Sequence, residues 1–434
     1  MSIPLVLAHG LSGRADLPLA LGVFVGAVAV VLAVSFAALA AGWIRPKLEH
    51  PRERPLVRLP LVVDIAGGLA GVFGFLLAVY AGLAGTDIAA SNLLPTVVYV
   101  ALWIGVPMVS LVFGDVFRLV SPWRAAGRAV GWVIGRADAD ATEALDYPDR
   151  LGQWPAAAGI AAFAIVELCW SRGDDPQVLA VLAIAYAVVQ LIGMGLYGVE
   201  PWSRNGDAFG VYFSLFARLS AFGRREDGML VVRVPGSAAA GLTARAGTVA
   251  LLVAAIGSTT FDGAKEGVLF DGLFPNVQDA LFDAGFSKSL GLELAFLLGL
   301  ALTVAFVAAV YVSGARSLRR PLAHSLIPIA AAYVVAHYFS LAVFGLQALP
   351  ALLADPLDAR PDIDYGVVST NAIWWVQVTA LVVGHVAALV LAHDRALAVH
   401  GSARDAAKSQ IAMVVVMIVF SCVGLWQLSA ANQA

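Results

Sequence analysis

The stretch from Leu59 to Gly85, LPLVVDIAGGLAGVFGFLLAVYAGLAG, decides the fold. It carries one charged side chain, Asp64, and no polar face. A helix of this length in a soluble protein keeps a polar stripe toward water, whereas one that is apolar all round is buried in protein or lipid. About 20 mostly apolar residues suffice to cross the hydrocarbon of a bilayer. Small residues recur inside the stretch. Ala70, Gly74, Ala78 and Gly82 are spaced by four, and Gly67 and Gly71 form a second such pair. That spacing lets helices approach closely in lipid, so the first stripe is expected to be a helix contact. The 67–71 pair is either a further contact or room for a ligand.

Nine further runs of the same kind lie at 18–43, 95–113, 155–171, 178–198, 246–262, 289–312, 325–347, 371–392 and 410–430. The run at 246–262 is the shortest and carries Ser258, Thr259 and Thr260, which leaves a re-entrant segment as its alternative. Hydrophobic residues make up 60% of the 434, and charged residues 13%, against about a quarter in soluble domains. The expectation is an all-α, polytopic transmembrane helix bundle of about ten spans, forming one integral membrane domain over 1–434. The lipid bilayer is its first partner. The net charge of −3 averages strongly polarised loops and gives no sign of a nucleic-acid partner. Two cysteines, Cys169 and Cys422, exclude a disulfide scaffold and any multi-cysteine metal site. The first eight residues lack the pattern of a secretory signal, but Val6-Leu7-Ala8 resembles a cleavage site, which points to a start codon further upstream.

Orientation follows from the loops. Of the 27 Lys and Arg residues, 22 fall on one side of the ten spans, in 44–58, 114–150, 199–245, 316–320 and 395–408. The other side holds Arg14, Arg172, Lys265, Lys288 and Arg360, and is acidic at Asp262, Glu266, Asp271, Asp279 and Asp283 and at Asp355, Asp358, Asp362 and Asp364. Basic loops stay in the cytoplasm, so both termini are expected outside, in a bacterial cytoplasmic (inner) membrane. Two cytoplasmic loops share vocabulary in swapped order: GDVF before SPWR at 114–124, and EPWSR before GDAF at 200–209. Trp and Arg at span ends read as interface anchors or as a substrate gate, and 208–222 reads as a helix lying on the membrane.

Ionisable groups inside spans are costly and mark functional sites by default. They are Asp64, Glu167, Glu293, His337 and His385, with His324 and His393 at inner span ends. Asp64, Glu167 and Glu293 lie near span ends, where snorkelling is the plain alternative. His337 lies about 18 Å and His385 about 12 Å from the same face at 1.5 Å per residue, so the two can meet across an antiparallel pair. His324 and His393 would form a second level. Neutral imidazole ligates a divalent transition metal or carries protons; a buried histidine also serves simply as a satisfied hydrogen-bonding group. On the outer side, Ser258 to Gly263 places hydroxyls and Asp262 together, and Asn371, Trp374, Trp375 and Gln377 follow in the ninth span; capping and anchoring explain these as well as a polar mouth does. The sequence has no Walker A loop, no H-E-x-x-H, no G-x-S-x-G and no C-x-x-C-H.

His9-Gly10-Leu11 with Arg14, Asp16 and Pro18, the loops GDVFRLVSPWRA and YGVEPWSRNGDAFGVYF, and STTFDG, AHYFSL and GHVAALVLAHDRAL together resemble a family of bacterial multi-pass membrane proteins labelled fenitrothion hydrolase. The likeness runs over nearly the whole chain. It implies hydrolysis of an organophosphate triester, a reaction suited to metal-activated water. His9, Asp262, His337, His385 and His393 fall in the matching stretches. The resulting expectation is a membrane-embedded hydrolase with Asp262 and Glu167 as catalytic carboxylates and His337, His385, His393 and His324 as metal ligands. A transporter or channel for a small molecule, ion or metal is the alternative, as is a subunit of an oligomer or larger membrane complex.

Overall fold

The computed structural model describes residues 21–48, 52–137, 144–265, 267, 270 and 272–431. His9, Arg14, Asp16, Pro18, the 6–8 stretch, Glu266 and Asp271 lie outside them. The chain is mostly helical, and its long helices are α1 (Leu21–Gly42), α2 (Leu61–Ala84), α3 (Leu93–Phe113), the amphipathic α4 (Pro122–Ala137), α5 (Trp154–Leu168), α6 (Pro176–Tyr197), α7 (Ala208–Ala217), α8 (Thr248–Ala264), α9 (Leu273–Asp283), α10 (Lys288–Ala315), α11 (Leu326–Gly345), α12 (Thr370–His400) and α13 (Ala403–Ala431). Among the described residues, seven helices are long and apolar enough to cross a membrane: α2, α3, α6, α10, α12, the segment Ala323–Ala354 around α11, and the Ala403–Cys422 part of α13. Shorter apolar helices occupy Gly26–Gly42, Trp154–Leu168, Ala208–Ala217 and Thr248–Ala264.

Local chemistry sets the helix ends. Asp175 caps α6 by accepting from the backbone N–H of Gln177 and Val178, with Pro176 in the first turn. Ser369 caps α12 in the same way through Ala372. Gly401, at φ 67°, ends it in a left-handed conformation open to glycine without strain. On α2, Leu61, Ile65, Leu69, Phe73, Leu76, Tyr80 and Leu83 are all exposed at helical spacing. That apolar stripe is what a bilayer, not water, would cover.

The small residues of α2 follow the four-residue stripe at Ala78 and Gly82, which are buried against neighbours, and depart from it at Gly74. A Cβ on Gly71 would fall on the Val120 carbonyl, one on Gly67 within 2.6 Å of the Leu119 side chain, and one on Gly68 within 2.8 Å of Ala125. Gly74 meets nothing within 4 Å and lines an apolar cavity of about 520 Å³ between α2, α3, α5 and α6. Close contacts are therefore made by Gly67, Gly68 and Gly71 and, within the four-residue stripe, by Gly82, where a Cβ would fall 2.4 Å from Leu94 and 2.8 Å from the Pro176 carbonyl; the open space lies at Gly74.

Two loop expectations are corrected. The 208–222 segment is not a helix on the membrane surface: α7 is buried nearly end to end, with Phe209, Tyr212, Phe213 and Phe216 in the core. Its sequence AFGVYFSLFA is apolar on every face, so it has no polar side to leave at an interface. Tyr212 stacks on Trp103 of α3 at 5.2 Å between ring centroids. Secondly, the basic loops contain a small antiparallel sheet that the helix-only reading omits, in the order β1 (Arg54–Arg58), β3 (Met229–Val232), β2 (Phe222–Arg224). Arg224 of β2 makes a paired contact with Asp64 at 2.5 and 2.7 Å, which ties the sheet to the start of α2. Asp64 thus has a full structural explanation.

Candidate functional site

The last turn of α8 carries Asp262, whose side chain has no solvent exposure. A buried carboxylate needs donors, since an unpaired charge at this depth is strongly unfavourable. Three arrive. His337 Nε2 and Tyr338 Oη, neighbours on α11, both lie 2.9 Å from Oδ2, and Lys265 Nζ lies 2.8 Å from Oδ1. With the Nε2 proton donated to Asp262, the lone pair of His337 sits on Nδ1. No described residue bonds Nδ1, and the His337 side chain keeps 18% of its surface exposed. Gly263 contributes to this: a Cβ there would stand 3.4 Å from Nδ1 and Cε1, on the edge of the ring that its absence leaves open. An imidazole oriented by a carboxylate through one nitrogen and open at the other is the arrangement of a general base.

Glu167 of α5 stands in the electrostatic neighbourhood of Asp262 and Lys265 but is not hydrogen-bonded to them. It lines a separate cavity of about 430 Å³ with Tyr99, Asp174, Phe344, Arg360 and Tyr365. One wall is the ten-residue π-helical stretch Thr96–Gly105 of α3. Thr96, Tyr99 and Val100 face this cavity, while Val97, Val98, Ala101 and Leu102 face the apolar one. Such windings are uncommon and are frequent at functional sites.

The other candidate histidines, His385, His393 and His324, stand among other neighbours. His385 Nδ1 lies 2.7 Å from the Leu381 carbonyl of its own helix, and the ring borders a cavity of about 50 Å³ lined by Ile256, Val307, Met413 and Met417. Gly384 abuts Pro328 and Ala332, which sets His385 level with the start of α11. His337 is five residues beyond Ala332, about 7.5 Å further along the helix, so the two rings have different neighbours and the expected His337–His385 pair is not formed. His393 Nε2 meets the Trp43 carbonyl at 3.0 Å, and its Nδ1 faces the Gln410 amide at 3.1 Å. Beside it, Asp394 accepts from Trp43 Nε1 and the backbone N–H of Lys47 and Leu48. Both residues fasten the end of α1 to α12. His324 has a carbonyl at each ring nitrogen, from Pro321 at 2.9 Å and Leu391 at 3.1 Å.

These four histidines therefore do not fit the metal set expected of them. Among the described residues, no three His, Cys, Asp or Glu side chains are grouped to hold an ion. The hydroxyls of Ser258, Thr259 and Thr260 donate to carbonyls of Ala255 and Ile256, one turn back, and do not form a polar mouth. Glu293 takes the backbone N–H of Ser171 at 3.1 Å and its hydroxyl as well, a structural link between the turn after α5 and α10.

The two loops of shared vocabulary clamp each other. Arg118, Arg124 and Arg128 converge on Glu200. Trp123 Nε1 and Tyr186 Oη donate to Asp207 at 2.7 and 2.8 Å, and Trp202 Nε1 donates to Gln190 at 2.8 Å. Trp123 and Trp202 are buried, so neither anchors the bilayer interface. Burial tends to raise the Glu200 carboxyl, but Arg124, Arg128 and Arg118 outweigh it and hold the group below the usual carboxylate range.

Reading the sequence missed Lys265 and Tyr338 as partners of Asp262. Each had a positional signal: Lys265 is one turn beyond Asp262, and Tyr338 adjoins His337. Comparison with known proteins adds nothing further, because no family model, curated protein or solved structure matches the chain.

Proposed function

We propose that the chain crosses a bacterial cytoplasmic membrane ten times with both ends outside, and that Asp262 and His337 form the base of a hydrolytic site in its outer half. The ten crossings rest on the seven long helices together with α1, α5 and α8, and the orientation on the 22 basic residues of one side. The hydrolytic reading rests on one observation: His337 is oriented by Asp262 through Nε2 and left uncommitted at Nδ1. In the proposed reaction Nδ1 takes a proton from water while the water oxygen bonds to the phosphorus of a neutral phosphotriester. The P–O bond to the leaving group breaks and the leaving alkoxide or phenolate departs. The imidazolium is stabilised by the Asp262 carboxylate, whose position Tyr338 and Lys265 maintain. The substrate class comes from the family resemblance of the loops and helix motifs.

The test is turnover of a chromogenic phosphotriester by purified protein in nanodiscs. His337→Ala is expected to lower kcat/KM by about 10²–10⁴, the range of a lost general base. Uptake by proteoliposomes with no turnover would replace this reading by the transporter.

A further inference from the structure

We infer that the cavity lined by Glu167 binds a small organic cation of the substituted-ammonium class, a property that stands apart from the hydrolytic reading and does not depend on it. Its volume of about 430 Å³ falls in the range of roughly 300–1,000 Å³ that small-molecule sites occupy. Glu167 carries no hydrogen bond or ion pair from a described residue, although an uncompensated carboxylate at membrane depth is unfavourable. Lys265, which follows α8 and acts on Glu167 electrostatically, is ion-paired with Asp262. The two other charges lining the cavity, Asp174 and Arg360, are both exposed and opposite in sign. Glu167 is therefore the one carboxyl group lining the cavity that lies withdrawn from the surface and without a described partner, and a bound cation would stabilise its ionised form.

The walls select the kind of cation. Tyr99, Phe344 and Tyr365 line the cavity, and aromatic faces attract alkylammonium groups. The Tyr99 ring is fixed by its hydroxyl, which donates to the Gly173 carbonyl at 2.5 Å, and Phe344 and Tyr365 pack with centroids 5.1 Å apart. A bare divalent ion needs six or so oxygen ligands, which one deep carboxylate among aromatic and aliphatic side chains does not supply. Outside the mouth, Asp355, Asp358, Asp362 and Asp364 are exposed on the loop that carries Tyr365, a field that concentrates cations.

The experiment is equilibrium binding of radiolabelled choline to the full chain in nanodiscs, with the uncharged carbon isostere 3,3-dimethylbutanol as competitor. Saturable choline binding that the isostere does not displace is expected. Glu167→Gln should weaken it on the order of tenfold or more, as removal of a buried charge partner does. Phe344→Leu, which keeps bulk but removes the ring, should weaken it too, and this variant decides if Glu167→Gln does not fold. Absence of saturable binding, displacement by the isostere at equal concentration, or unchanged affinity in either folded variant would overturn the assignment.

Discussion

At His337 a carboxylate fixes one ring nitrogen and leaves the other open, while at His385 one nitrogen is held by its own helix and the other faces aliphatic side chains. Replacing His385 by leucine removes a buried polar atom and fills apolar space, a change that is near neutral when no partner is orphaned. His385→Leu is accordingly expected to keep phosphotriester turnover within about twofold and to melt within a few degrees of wild type, the span of roughly 1 kcal/mol. Equal loss of turnover at His385 and His337 would restore a shared centre. A second residue-scale prediction concerns Glu200. Its folded carboxyl lies below the unfolded value of about 4.3, so its contribution is present above that pH and fades as pH falls through the lower folded value. Glu200→Gln should flatten the melting temperature of the nanodisc protein over that acidic window and leave its slope at higher pH unchanged. Asp262 and His337 were legible in the sequence because ionisable groups stand out against apolar helices. Which histidine is open was not legible, because that depends on partners as far apart as Trp43 and His393, or Asp262 and Tyr338.

Among the elements, α2 gives the sharpest contrast. A side chain on Gly71 must displace the backbone at Val120, whereas one on Gly74 enters open space. Gly71→Leu is expected to cost about 3 kcal/mol or more and reduce the folded yield, and Gly74→Leu to stay within about 0.5 kcal/mol. Thermal stability of the purified variants checks both, and the reverse order would mean that the four-residue stripe packs at Gly74 as it does at Gly82. The spacing of small residues identified α2 as a helix with close neighbours. It could not tell which face they occupy, because Phe117–Val120 and α4 arrive from a loop whose path only tertiary structure defines. The same limit hid α7: an apolar ten-residue segment between basic loops is too short to span, and burial beneath α3 and α5 is the outcome that its lack of a polar face favours. The sheet β1–β3–β2 pairs residues 54–58 with 229–232, a separation that local pattern does not reveal.

For the whole molecule, composition and the apolar runs carried the all-α, helical architecture. Each of the ten apolar runs coincides with an apolar helix in the described residues, and the basic loops meet on one side through Glu200, Asp64 and Glu53. The direction of crossing decides whether His337 and the Glu167 cavity open to the outer compartment or to the cytoplasm. Impermeant thiol labelling of intact cells measures it directly. In a background with Cys169→Ala and Cys422→Ala, single cysteines would replace the exposed residues Arg52, Arg136, Arg404, Lys288 and Asp358. Cysteines at positions 288 and 358 should label in intact cells, and those at 52, 136 and 404 only after the membrane is breached; the opposite pattern would contradict an outward-facing Asp262–His337 site.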